Sequence, residues 1–112
     1  KEKSNLLFKS KIFILPTFYK PEAFPLSIIE SMRAKCYIIT TKHNYLPKIV
    51  NEDNGSLIMP KNINSIYNSL NKISNDNKKL RLKSNYNQEL AKKKYSEENY
   101  LNSLAKIFNI YL

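Results

Sequence analysis

Residues 11–40 read KIFILPTFYKPEAFPLSIIESMRAKCYIIT, and two apolar runs inside this stretch decide the fold. Lys11-Ile12-Phe13-Ile14-Leu15 is short, β-branched and stopped by Pro16, as a buried strand would be. Cys36-Tyr37-Ile38-Ile39-Thr40 is a second run of the same kind. Neither alternates polar with apolar residues, so both faces of each strand need cover, which is the mark of a parallel sheet flanked by helices. Between them, Pro16, Pro21 and Pro25 punctuate a loop. Pro25 suits the first position of a helix, where its missing N–H would be unpaired in any case. A helix is therefore expected from about Pro25 through Ile28, Ile29, Glu30 and Met32 to about Ala34.

Downstream, Tyr45-Leu46-Pro47-Lys48-Ile49-Val50 suits a short helix, Asn54-Gly55 a turn, and Ser56-Leu57-Ile58-Met59 a third strand stopped by Pro60. The character then changes. Asn62 is a good N-cap for a helix with Ile63, Ile66, Tyr67, Leu70 and Ile73 at helical spacing. Asp76 caps a second helix carrying Leu80, Leu82, Tyr86 and Leu90. Ser96 followed by Glu97 and Glu98 opens a third, with Tyr100, Leu101, Leu104, Ile107, Phe108 and Tyr111 on one stripe. The expected fold is α/β: a partial Rossmann-like parallel sheet of about three strands with flanking helices and a C-terminal helical tail. Residues 1–60 form the α/β core and 61–112 the helices of a single unit. The chain has 112 residues and begins with Lys1 rather than Met, so a piece of a longer polypeptide is expected.

Composition narrows the function. The formal charge is +10, nearly all of it Lys. Such a balance permits binding to nucleic acid, anionic lipid or phosphorylated ligands. A Lys-, Asn- and Ile-rich composition also arises from drift in an AT-rich genome. A single Gly, Gly55, excludes a glycine-rich phosphate loop from this chain. A single cysteine, Cys36, excludes an internal disulfide, and its place at the head of an apolar run points to a buried structural thiol rather than a partner of His43. No apolar run approaches the ~20 residues of a membrane span and no signal peptide is visible, so a reducing, cytoplasmic setting is expected.

The chemistry lies in Glu22-Ala23-Phe24-Pro25-Leu26-Ser27-Ile28-Ile29-Glu30, where two glutamates have seven residues between them. Glu22 falls in a loop after a strand, ahead of a helix N-terminus. Open α/β sheets bind ligands at that place, and the unpaired amides there favour phosphate. Glu30 sits in a helix that reads as apolar almost all round and therefore well buried. A carboxylate there costs several kcal/mol unless it faces a polar cleft or a partner such as Arg33.

Together these residues resemble the E-x7-E motif of retaining GT-B glycosyltransferases, in particular the family 4 (group 1) class. That family reads as an apolar strand, Pro-Ser, a Tyr-rich loop, Glu-Gly-Phe-Pro, an apolar helix with a second Glu, and a strand ending in Thr. Phe13-Ile14-Leu15-Pro16-Thr17, Glu22-Ala23-Phe24-Pro25-Leu26, Ile29-Glu30-Ser31-Met32 and Ile38-Ile39-Thr40 follow it in order. The family's Pro-Glu-Ile-Val and Asn-Gly-Leu-Leu-Val segments correspond to Pro47-Lys48-Ile49-Val50 and Asn54-Gly55-Ser56-Leu57-Ile58. The resemblance makes the chain part of a nucleotide-sugar-binding domain, half of a GT-B donor domain. The parent would transfer a hexose-type sugar, with retention, from a UDP- or GDP-sugar to a polysaccharide, lipopolysaccharide or other glycan acceptor.

By the same resemblance, Glu22, with Ala23, Phe24 and Pro25, contacts the donor sugar. The backbone at Leu26 and Ser27 receives the diphosphate, and Glu30 accepts from the ribose hydroxyls. No residue is assigned to the chemical step, and neither a metal nor a cofactor is expected. The family's Gly after the first Glu is Ala23 here, its Gly-rich loop after the second strand is Lys42-His43-Asn44-Tyr45, and its acid before Ile-Val is Lys48. The diphosphate-neutralising basic pair and the N-terminal acceptor domain lie outside this chain, so the piece alone is expected to be inactive.

Two other readings compete. Lys78-Lys79-Leu80-Arg81-Leu82-Lys83 and Lys92-Lys93-Lys94-Tyr95 would support a basic, non-catalytic module for RNA, an anionic membrane or a partner subunit. No nucleic-acid fold signature accompanies them, and no specific nucleic acid is expected. A peripheral position on the inner membrane face is compatible with the transferase reading. An open edge strand would also favour self-association.

Overall fold

The structure, a computed structural model, describes residues 2–17, 26–43, 46–94 and 96, with side chains from Leu6 onward. The expected α/β order is observed. Its elements are α1 (Glu2–Lys9), β1 (Ile12–Leu15), α2 (Leu26–Arg33), β2 (Tyr37–Thr41), α3 (Leu46–Ile49), β3 (Gly55–Ile58), α4 (Ile63–Ser74) and α5 (Asn77–Lys94). Helix α1 has no counterpart in the sequence reading, because its residues form no long apolar stripe. The third tail helix expected after Ser96 lies outside the described residues.

The three strands form one parallel sheet in the order β1-β2-β3. Ile12 lies opposite Tyr37 and Leu15 opposite Thr40, while Ile38 lies opposite Gly55 and Thr41 opposite Ile58. Every residue of the central strand β2 is buried, which is why its run is unbroken. Side chains alternate between two cores. On one face Phe13, Leu15, Ile38 and Leu57 pack with Ile28, Met32, Leu46 and Val50 beneath α2 and α3. On the other, Ile12, Ile14, Tyr37, Ile39 and Ile58 pack with Ile66, Leu70 and Ile73 of α4.

Helix α5 joins the two cores. Leu80 in its first turn belongs to the α4 side, and Leu90 and Ala91 further on belong to the α2 side. The helix therefore passes around the end of the sheet where the strands begin. Asn87, fully buried at that crossing, donates through Nδ2 to the carbonyls of Cys36 and Asn54, both at 2.8 Å. These carbonyls precede β2 and β3, so one side chain fixes α5 to two strand starts. Asn54 is itself buried and ties off α3, donating to Ile49 O and accepting from the Asn51 amide. Gly55 is required by close approach, since an added Cβ would stand 2.0 Å from the Ile38 carbonyl oxygen.

Several expected core residues face outward. Ile63 and Tyr67 on α4 are 82% and 65% exposed, and Leu82 and Tyr86 on α5 are also exposed. Only the part of each apolar stripe that meets the sheet or α2 is covered.

Candidate functional site

The strands of β1 and β2 end at one edge of the sheet, and the loop leaving β1 returns there as α2. Two buried threonines hold its start. Thr40 Oγ1 donates to Leu15 O at 2.8 Å, and Thr41 Oγ1 donates to Thr17 O at 2.5 Å. The backbone leaving β1 is thus stitched to the carboxyl end of β2 before the loop begins. Thr40 was read from the sequence only as a strand end, and Thr41 was missed. A hydroxyl at the end of an otherwise apolar strand was the available signal.

Helix α2 presents two faces. Ile28, Ile29, Ser31 and Met32 are buried towards the sheet and α5. Leu26, Glu30 and Arg33, at i, i+4 and i+7, share the opposite side. Leu26 is 57% exposed and Glu30 is half-buried. This corrects the expectation of a helix apolar all round with Glu30 well buried. The apolar residues occupy one side only, so the carboxylate escapes the full cost of desolvation. Glu30 is engaged in an interaction of its own. Ser27, in the first turn, accepts at its carbonyl from Ser31 Oγ at 2.7 Å.

Of the residues predicted for the site, Leu26 and Ser27 therefore open the first turn of α2, the helix that follows β1, and Glu30 lies one turn further along it. Glu22, Ala23, Phe24 and Pro25 lie outside the described residues. The single histidine, His43, follows the end of β2 at the same edge. Its amide donates to Thr41 O and its carbonyl accepts from the Leu46 amide that opens α3.

Cys36 is at the other end. It precedes β2 where His43 follows it, so the strand keeps the two apart by roughly 20 Å. The Cys36 thiol is fully buried beside the carbonyls of Leu7 and Ser10, and burial pushes its pKa up. It is a structural thiol. Among the described residues no group of three or more His, Cys, Asp or Glu side chains is placed to hold a metal ion. Among them, too, no helix is long and apolar enough to cross a membrane.

Comparison with known proteins matches this arrangement. The family model described as "Glycosyl transferases group 1" covers residues 1–94. Among solved structures, sucrose-phosphate synthase from Thermosynechococcus elongatus superposes with a TM-score of 0.82 at 20% identity. The superposition covers 93% of this chain and 26% of that one, so the chain spans about a quarter of the length of its structural relative. No curated protein matches by sequence.

Proposed function

Because this chain belongs to the group 1 glycosyl transferases, and its fold is that of a GT-B glycosyltransferase domain, we propose that it supplies the nucleotide-sugar-binding part of a retaining hexosyltransferase. The donor is a nucleotide diphosphate sugar of the UDP or GDP type. The acceptor is a growing polysaccharide, lipopolysaccharide or other glycan, presented by an N-terminal domain of the parent chain. Catalysis needs both domains, and this piece alone is inactive.

The observation that carries the proposal is the position of Glu30. It stands on the partly open face of α2, one turn past Leu26, in the helix that follows β1 of a parallel sheet. A carboxylate there can accept from both hydroxyls of a ribose diol, and charge-assisted acceptance makes those bonds strong. The amides of Leu26 and Ser27 lie in the first turn of α2, where backbone N–H groups have no helical partner and a diphosphate can accept from them. Glu22 takes hydroxyls of the donor sugar, with Ala23, Phe24 and Pro25 beside it. Ala23 leaves less room there than the family's glycine. The chemistry requires no metal. The enzyme works in the cytoplasm, where its basic surface can also rest on the anionic inner face of the membrane.

Titration with UDP-, GDP- and ADP-sugars, followed by amide NMR, tests the proposal. Saturable shifts are expected at Leu26 to Glu30, and Glu30→Gln should weaken binding about tenfold. Saturation without any change along α2 would overturn the assignment. Salt-sensitive binding of oligonucleotides, with no response to sugar nucleotides, would favour the basic-module reading instead.

A further inference from the structure

Two clefts open at the opposite end of the sheet, on either side of the first turns of α5, and their charge balance differs. The larger, about 580 Å3, gathers Lys72, Lys79 and Lys83. It also holds the carboxyl side chains of Glu52 and Asp76, and Lys83 Nζ donates to the Glu52 carbonyl. Two carboxylates thus offset part of the charge of its three cations.

The smaller cleft, about 250 Å3, is lined by Lys11, Lys35 and Arg81 with Asn77, Ser84 and Asn85, and among the described residues it has no carboxylate in its wall. None of the three cationic side chains makes a hydrogen bond or an ion pair with another described residue. The fold forces them together. Lys11 immediately precedes β1 and Lys35 stands just before the start of β2, and those strands pair from their first residues. Arg81 is delivered by α5, whose neighbouring Leu80 is buried in the core. Lys35 holds its position in the left-handed region, at φ 60°.

Three like charges converging on one cleft repel one another, and a dianion placed among them would reverse the sign of that energy. The donors suit phosphate: a planar guanidinium fork, two ammonium point charges, and the amides of Asn77 and Asn85 as further donors. The volume of about 250 Å3 admits one or two phosphate groups. We propose that this cleft is a binding site for a phosphomonoester or diphosphate group, separate from the donor edge of the sheet. The group is either free in solution or the headgroup of an anionic lipid, and the site does not depend on the transferase reading.

The test uses the whole 112-residue chain. Inorganic pyrophosphate is titrated by amide NMR, in parallel with sedimentation on phosphatidylcholine vesicles with and without phosphatidate. Saturable shifts are expected at Lys11, Lys35 and Arg81. The pair Lys35→Gly and Arg81→Gln, both exposed side chains, should weaken binding about tenfold or more. Removing the same charge at Lys92 and Lys93 should leave it within about twofold, beyond a Debye length of ~10 Å. Pyrophosphate binding with these properties supports the proposal and makes the ligand soluble. Binding only to phosphatidate vesicles, lost in the cleft pair and kept in the control pair, supports it and makes the ligand a headgroup. Shifts confined to Leu26 and Ser27, equal losses in both pairs, or no saturation in either arm would overturn it.

Discussion

Asn87 shows how one polar residue can hold an α/β layer together. With its whole surface buried, it donates to the backbone carbonyls of Cys36 and Asn54, the second of which also accepts a longer bond from the Ile38 amide, while its own Oδ1 has no partner among the described residues. The side chain is tolerated because two good bonds outweigh one under-used acceptor. The two carbonyl neighbours also fix the amide orientation, since only the NH2 can face them. Asn87→Ala should therefore lower unfolding free energy by about 2–3 kcal/mol, from two lost bonds and a small void. Asn87→Asp should cost more than Ala, because a carboxylate brings charge and no donor to the same two oxygens. Urea unfolding of the three proteins checks the order. Asn above Ala above Asp is expected, and an Asp variant as stable as wild type would remove Asn87 from this role.

Also at the residue scale, Cys36 and Tyr37 sit side by side and both resist ionisation. Burial raises each above its ordinary value of 9.0 or 10.0, with a weaker opposing effect on Tyr37 from its hydrogen bond to Ser56. For an acid whose folded pKa is raised, the unfolded chain loses its proton first. The associated stability is complete below about pH 9 and declines as pH rises through the Cys and Tyr values towards the folded ones. Lys83, pushed down by burial and then by Lys79, acts in the opposite direction and offsets part of the fall. Thermal midpoints should be flat from pH 7 to 8.5 and drop above pH 9, with a shallower drop in Cys36→Ala. The native thiol should also resist a thiol reagent that labels it in urea. A rapid native reaction would mean that Cys36 is reachable, contrary to its burial.

At the scale of elements, the turn between α2 and β2 carries its own strain. Ser31 O accepts from the Cys36 amide and Met32 O from the Lys35 amide, the paired bonds of a Schellman cap. Lys35 takes the left-handed position that glycine usually fills there. Lys35→Gly should raise stability by roughly 0.5–1 kcal/mol, the relief of strain exceeding the added freedom of the unfolded chain. A shift in denaturant midpoint reports it, and an unchanged or lower midpoint would mean that the Lys35 stem packs usefully. The two strands and the caps were legible in the sequence because each rests on local chemistry. Ile12 to Leu15 and Tyr37 to Thr41 are β-branched and apolar, Asn62 Oδ1 accepts from the Ser65 amide, and Asp76 accepts from Lys79.

What was not legible depends on the whole arrangement. Periodicity marks Leu82 and Tyr86 as neighbours of Leu80 and Leu90, yet the path of α5 around the sheet decides that they face outward. The same holds for Ile63 and Tyr67 on α4. In the candidate site, the spacing of Glu22 and Glu30 was visible in the sequence, whereas the half-buried setting of Glu30 on α2 depends on which side of that helix the sheet and α5 cover. The threonine stitching at Leu15 and Thr17 was not visible, because it joins residues far apart in the chain.

The sheet itself sets the last expectation, at the scale of the whole molecule. Strand β1 pairs only with β2 among the described residues, and its four residues are half-buried where those of β2 are fully buried. The Tyr37 amide donates to Lys11 O, so Lys11, Phe13 and Leu15 turn their backbone groups towards β2. Ile12 and Ile14 then direct N–H and C=O outward, as an unpaired edge that invites another strand. With no charge on its four side chains, β1 has little to discourage pairing with a second copy. Light scattering from about 10 µM to 1 mM should give a mass that rises with concentration, and the Ile12 and Ile14 amides should exchange more slowly as it rises. A constant monomer mass over that range, with both amides exchanging freely, would show that the edge is blunted by other means. Protection of those two amides at low concentration, without any rise in mass, would place a cover from the same chain over β1.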